Sequence, residues 1–170
     1  MAVMQVVYHP NEILRQTLKP VTEFDDKLQK LVDDMFETMY AVRGVGLAAN
    51  QVGLDMSLSV IDVSESKDQR LVIVNPEVIE ARDFVLMQEG CLSLPTTFDS
   101  VPRPKWIKVK AQDVKGNRFE IEAEDLLAEC LHHEIDHLNG KLYIDYLSKL
   151  KQKRIRTKLD KYKRELKKHG

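Results

Sequence analysis

Apolar residues recur at helical spacing from Leu28 to Met39, where Leu28, Leu31, Val32, Met35 and Met39 fall on one face and predict an amphipathic helix. Val60-Ile61-Asp62-Val63 and Leu71-Val72-Ile73-Val74 are runs rich in β-branched residues and predict short strands. The clearest alternation is later. Ile107, Val109 and Ala111 alternate with Lys108 and Lys110, Lys115-Gly116-Asn117 turns the chain, and Phe119, Ile121 and Ala123 alternate with Glu120 and Glu122. This predicts a hairpin whose lysines and glutamates pair across its outer face. Ala123-Glu124-Asp125 then opens a second helix, so the chain reads as mixed α and β. No repeat, low-complexity block or linker interrupts it. At 170 residues it is expected to be one domain, residues 1–170, able to bury roughly two-thirds of its unfolded surface without disulfides.

Net charge is −1, but the charges are segregated. Between Lys149 and Lys168 lie 11 of the 26 Lys and Arg residues and only 2 of the 27 acids, Asp160 and Glu165, leaving a body of net −10. Residues 147–169 are therefore expected to form a basic C-terminal helix on an acidic body. Leu147, Leu150, Ile155, Leu159 and Tyr162 are expected to pin one side of it. Such a helix is often only a solvated surface. Two cysteines make no disulfide framework and fit a reducing compartment. Met1-Ala2-Val3-Met4-Gln5 has neither a basic start nor an apolar core, and no run approaches a membrane span, so a cytoplasmic protein without membrane attachment is expected.

The chemistry concentrates in His133-Glu134-Ile135-Asp136-His137. On a helix, residues four apart are neighbours, so both imidazoles can reach one ion while Glu134 lies close enough to take a proton from water. A catalytic metal needs three protein ligands and one open position. Cys91, in Glu89-Gly90-Cys91-Leu92-Ser93-Leu94-Pro95, is the strongest candidate for the third; Gly90 and Pro95 suit a short, shaped segment there. Cys130, among Leu126, Leu127 and Leu131, fits a buried core residue better. A thiolate with two imidazoles suits Fe(II), Zn(II) or Co(II), and spacing does not choose among them. His132 points about 100° away from His133 and reads as a surface or packing residue.

Gly44-Val45-Gly46-Leu47-Ala48-Ala49-Asn50-Gln51 has the glycine spacing of a dinucleotide-binding turn, but a helix precedes it where a buried strand is required, and Gly53 soon interrupts. Together, this segment, Glu89-Gly90-Cys91-Leu92-Ser93 and the run from His133 to Gly140 resemble the three signature motifs of peptide deformylase. The resemblance runs from near Val6 through the final helix. It implies an α+β fold with antiparallel sheets packed around a central helix that carries the metal histidines. It also implies removal of the formyl group from the N-terminal methionine of new polypeptides, with release of formate. By the same resemblance Cys91, His133 and His137 bind one divalent metal, natively Fe(II), with Zn(II), Ni(II) or Co(II) as substitutes. Glu134 serves as base, and Gln51 and the Leu92 backbone N–H stabilise the oxyanion. Gly46 offers backbone to the substrate, Val45, Met87, Leu126 and Cys130 match the methionine pocket, and Glu89 orients a ligand histidine. Three positions depart from the family pattern: Arg43 where an acid is frequent, Glu129 where the pocket is usually aliphatic, and Phe98 where arginine is frequent. Glu129, four residues before His133, is expected to influence substrate choice.

The competing enzyme class is a metalloprotease, but that class usually takes its third ligand from a downstream His or Glu, and no histidine follows His137 until His169. A structural zinc module binding RNA through its basic helix would need a fourth protein ligand, and none stands out. The basic helix also suggests docking on the ribosome, from which the substrate emerges. A monomer is expected.

Overall fold

The computed structural model describes residues 2–169; Met1 and Gly170, the ends of the expected domain, lie outside the described residues. The apolar stripe from Leu28 to Met39 becomes helix α1, Asp26–Ala41. Asp25 caps it, its carboxylate accepting from the Leu28 N–H at 3.1 Å. Five strands follow, β1 Gly46–Ala48, β2 Leu58–Ile61, β3 Leu71–Cys91, β4 Leu94–Gln112 and β5 Arg118–Glu124. They form one antiparallel sheet in the order β1-β2-β3-β4-β5, with β1 at an edge. Helix α2, Asp125–Leu138, carries the His-Glu-Ile-Asp-His run, and helix α3, Lys149–His169, ends the described chain.

Side chains alternate between sheet faces, and β2 shows what that does here. Leu58 and Val60 join the cluster under α1 with Met35, Phe36 and Met39, whereas Ile61 and its neighbour Ile73 on β3 join Leu131 and Ile135 of α2. The two helices therefore cover opposite faces, and β2 is buried throughout. A third cluster holds α3 in place: Ile155 and Leu159 pack on Leu14, Leu94, Val101 and Tyr143.

Several boundaries differ from the sequence reading. β2 stops at Ile61; the Asp62 N–H still donates to the Val45 carbonyl, and its carboxylate accepts from Tyr40 and Ser64. β3 continues 17 residues past Val74, and the expected antiparallel strands belong to one five-stranded sheet. Register shifts at Val74/Glu77, Val78/Glu80 and Glu89/Cys91 bend β3 and β4 without ending them. The Cys91 segment is consequently the closed end of a long hairpin, with Cys91 opposite Leu94, and Gly90 and Pro95 lie within strands. The β4–β5 hairpin keeps its expected alternation, but Lys108 pairs diagonally with Glu120 at 3.6 Å, and Lys110 reaches Glu77, its direct partner on β3, at 3.3 Å. Leu150 does not pin α3, since it is 59% exposed; Ile155 and Leu159 do so. None of the described helices is long and apolar enough to cross a membrane.

Gly140 closes α2 at φ +76°, and a Cβ there would run into the Arg15 backbone carbonyl. Gly140→Ala is therefore expected to cost roughly 2–3 kcal/mol, read as a lower denaturant midpoint at unchanged slope.

Candidate active site

Three segments distant in sequence meet at the N-terminal end of β1, the closed end of the β3–β4 hairpin and one face of α2. Ligand atoms of Cys91, His133 and His137 all lie within 4.8 Å of one another. Cys91 Sγ is 3.4 Å from His137 Nε2, and the two Nε2 atoms are 3.0 Å apart. A tetrahedral ion with bonds of ~2.3 Å to sulfur and ~2.0–2.1 Å to nitrogen implies edges of about 3.5 and about 3.4 Å, so the donors fit one such ion. Among the described residues His137 Nδ1 is buried without a partner, and Nε2 is the atom turned toward the cluster. Burial and the neighbouring His133 hold its proton affinity well below the usual histidine range, which leaves a lone pair available. Burial also acts on His133, but its contacts with Cys91 and Glu89 outweigh burial and raise it.

Glu134 sits beside this cluster, 3% exposed, with the buried Ser59 hydroxyl 3.3 Å from Oε1. Burial pushes its carboxyl up to about 7, against the His133 charge and the Ser59 hydrogen bond. That is the range in which a carboxylate both accepts and returns protons near neutral pH. Gln51 lies in a 3-10 turn, Ala49–Val52. The Ala48 N–H donates to its Oε1 at 2.9 Å, which leaves Nε2 directed at Cys91 Sγ (3.5 Å) and Ser93 Oγ (3.3 Å). Asn50 ties the same turn to α2 by donating to the His137 carbonyl at 2.8 Å.

A cavity of 530 Å³ opens over these groups, walled on one side by Val45 and Gly46 and on the other by Leu92 and Leu94. Leu126, Glu129 and Cys130 also line it, as do Arg43 and Phe98. Met87 lies on β3 opposite Val101, two residues before Glu89, which also lines the cavity. Gly46 has no room for a side chain, since a Cβ would approach Glu134 Oε2 to 2.5 Å. Cys130 serves as core and as wall; burial and the charge of Glu134 push its thiol well above the ordinary range, so it stays protonated. Burial pushes the Glu129 carboxyl up to about 7, and the nearby Glu89 carboxylate adds to the rise.

The residue that sequence reasoning missed is Arg103. Fully buried on β4, it forks onto Glu89 (Nε–Oε2 2.7 Å, Nη2–Oε1 2.9 Å) and donates through Nη1 to Asp136 Oδ2 at 2.6 Å. Glu89 Oε1 in turn meets His133 Nδ1 at 2.7 Å, which fixes the ring with Nε2 toward the cluster. His132 packs here too, Nδ1 2.8 Å from Arg103 Nη1 and its ring edge-on to Phe84. Tyr146 closes the network by donating to Asp136 at 2.7 Å. Burial alone would raise the Glu89 carboxyl; the hydrogen bonds and charges of His133 and Arg103 prevail and hold it at about 2.

A family model described as polypeptide deformylase matches residues 3–153. Among solved structures, the chain is similar to a peptide deformylase from Legionella pneumophila, at 53% identity, TM-score 0.93 and 96% coverage of both chains. It is similar to one from Ehrlichia chaffeensis in complex with actinonin, at 41% identity and TM-score 0.92, covering 96% of this chain and 99% of that one. A Thermotoga maritima peptide deformylase is 41% identical with TM-score 0.83, covering 87% of this chain and 99% of its own.

Arg103→Leu strands two buried carboxylates and is expected to destabilise the fold by roughly 3–5 kcal/mol at neutral pH. Because the Glu89 carboxyl is depressed in the folded state, its contribution is complete above the unfolded value near ~4.3 and is lost as pH falls through about 2. The deficit of the variant should therefore shrink across that acidic window. Denaturant titrations of both proteins at a series of pH values read it directly; a deficit independent of pH would contradict the assignment.

Proposed function

The chain belongs to the polypeptide deformylase family, and from that premise we propose that Cys91, His133 and His137 hold its divalent metal, natively Fe(II), with Zn(II), Ni(II) or Co(II) able to replace it. The enzyme removes the N-formyl group from the N-terminal methionine of newly synthesised polypeptides and releases formate. The observation that carries the residue assignment is the convergence of one thiol and two imidazoles next to a buried carboxyl with a proton affinity near neutrality. A mixed thiolate and imidazole set suits Fe(II) and its late first-row neighbours better than Mg(II) or Ca(II). The metalloprotease reading is not favoured by the family, and the cluster's third donor is the upstream Cys91 rather than a downstream His or Glu.

When bound, the cation supplies Lewis-acid activation of water and of the formyl carbonyl. The chain does the rest. Glu134 takes the proton of the attacking water and later returns it to the departing amine. Gln51 Nε2 and the Leu92 backbone N–H donate to the oxygen that becomes negative as the carbonyl carbon turns tetrahedral, a contribution of typically ~3–4 kcal/mol per donor. β1 is an edge strand, so Gly46 can offer backbone groups to the substrate as an added strand would. Val45, Leu126 and Cys130 receive the methionine side chain, and the half-buried Glu129 stands beside them.

We further propose that the outward face of α3 docks on ribosomal RNA, which would hold the enzyme near its substrate, and that the enzyme works as a cytoplasmic monomer. Truncating the helix is a poor test, because it would uncover Leu14, Leu94 and Tyr143 by removing Ile155 and Leu159. Replacing the exposed Lys153, Arg156, Lys163 and Arg164 by Gln is a better one. Sedimentation with ribosomes should weaken and lose much of its salt dependence, with turnover of formyl-methionyl-alanine unchanged. Undiminished co-sedimentation would refute the docking.

The activity is tested by formate release from a formyl-methionyl peptide without oxygen. Glu134→Ala should keep stoichiometric metal and lose nearly all turnover, Gln51→Ala should lose about 10²–10³ in rate, and Cys91→Ser should lose most of its metal. Full metal in Cys91→Ser, or near-normal rates in either of the others, would overturn the corresponding role. Glu129→Ile should raise kcat/KM for formyl-methionyl over formyl-lysyl peptides by roughly the ~1–3 kcal/mol that pocket contacts discriminate. An unchanged ratio would make Glu129 a bystander.

A further inference from the structure

A second, smaller groove of 220 Å³ separates β4 from α3. Thr97, Phe98 and Asp99 form one wall, and Lys151, Arg154 and Lys158 form the other. It borders the catalytic cavity, and Thr97 and Phe98 line both. The spacing of the three cations explains why they face inward. They flank Ile155, the residue by which α3 packs on the body.

The charges in the groove do not balance. Lys151 is answered by Asp99, Nζ to Oδ1 at 3.3 Å. Among the described residues no carboxylate lies within ion-pair distance of Arg154 or Lys158. Four residues apart on one helix, these two also repel each other. An extended anionic chain entering from the cavity would relieve that repulsion.

We propose that this groove receives the downstream part of the substrate peptide and favours acidic side chains at about its fourth and fifth residues. The proposal rests on the deformylase reading, which puts the formyl end at Cys91, His133 and Glu134. From Leu94 to Phe98 the wall runs four residues, about 13 Å at the ~3.3 Å rise of a strand. A peptide whose formyl-methionine occupies the cavity therefore comes level with the groove near its fourth residue. Phe98, 64% exposed at the junction, offers an apolar surface to the stem of a glutamate as it passes. A peptide suits the groove better than RNA does, because the groove shares Thr97 and Phe98 with the cavity that receives the formyl end of the peptide.

The test compares kcat/KM for formyl-Met-Ala-Ser peptides extended by two glutamates or by two lysines, with formyl-Met-Ala as the short control. In the wild-type enzyme the glutamate peptide should be preferred by roughly twofold to fivefold per charge at low ionic strength, with the preference fading as salt rises. Arg154 and Lys158 are exposed, so the R154E/K158E variant should fold; it should reverse the preference and leave formyl-Met-Ala unchanged. Equal rates for the two long peptides in wild type, or a preference that survives charge reversal, would overturn the proposal. So would a variant that loses ribosome binding while keeping the wild-type peptide preference, since the cations would then serve RNA. Failure to release formate even from formyl-Met-Ala would overturn the deformylase reading and this proposal with it.

Discussion

The structure turns on one buried cation. Arg103 has no exposed surface, and its guanidinium is neutralised by Glu89 on β3 and Asp136 on α2. The β3–β4 hairpin and α2 are thereby locked in one arrangement, and the lock acts directly on the site: the Glu89 oxygen that accepts from Arg103 Nη2 also contacts His133 Nδ1. Burying an ion triad carries a desolvation cost that its own attraction barely offsets, so an apolar trio of equal volume could hold the fold as well. It could not orient the imidazole. A carboxylate behind a ligand histidine sets both its tautomer and the direction of its free nitrogen.

The same low-polarity surroundings tune the groups that the proposed chemistry uses. Burial raises Glu134 to about 7 and depresses His137, so the first can exchange protons at neutral pH while the second presents a lone pair. Gly46 brings the edge strand close to Glu134, and any larger residue would close the space between them. The cavity and the basic groove share Thr97 and Phe98, which makes the long β3–β4 hairpin the wall along which selectivity beyond the first residue would be exerted.

How much of this was legible in the sequence follows from how local each feature is. His133 and His137 were readable because four-residue spacing on a helix is a local rule, and the β4–β5 hairpin because its alternation and turn are local too. Cys91 could be separated from Cys130 by the leucines around the latter, which the structure indeed buries with Ile61 and Ile107. Arg103 could not be read from local rules, because its partners lie 14 and 33 residues away. One signal was present: Val101, Arg103, Ile107, Val109 and Ala111 share the inward parity of one strand, and a charge on that face requires buried partners. β3 ended too early for a related reason, since bulges interrupt the regular alternation and leave no clear mark in composition. Leu150 was read as an anchor of α3 from hydrophobicity alone, although the helix buries the face carrying Ile155 and Leu159.

The central claim is that one thiolate and two imidazoles, with the histidine behind Glu89 among them, form a single open metal site. X-ray absorption on the zinc-loaded protein tests it most directly. The account predicts one sulfur at ~2.3 Å and two or three nitrogen or oxygen atoms at ~2.0–2.1 Å. A first shell without sulfur, or with two sulfurs, would contradict it.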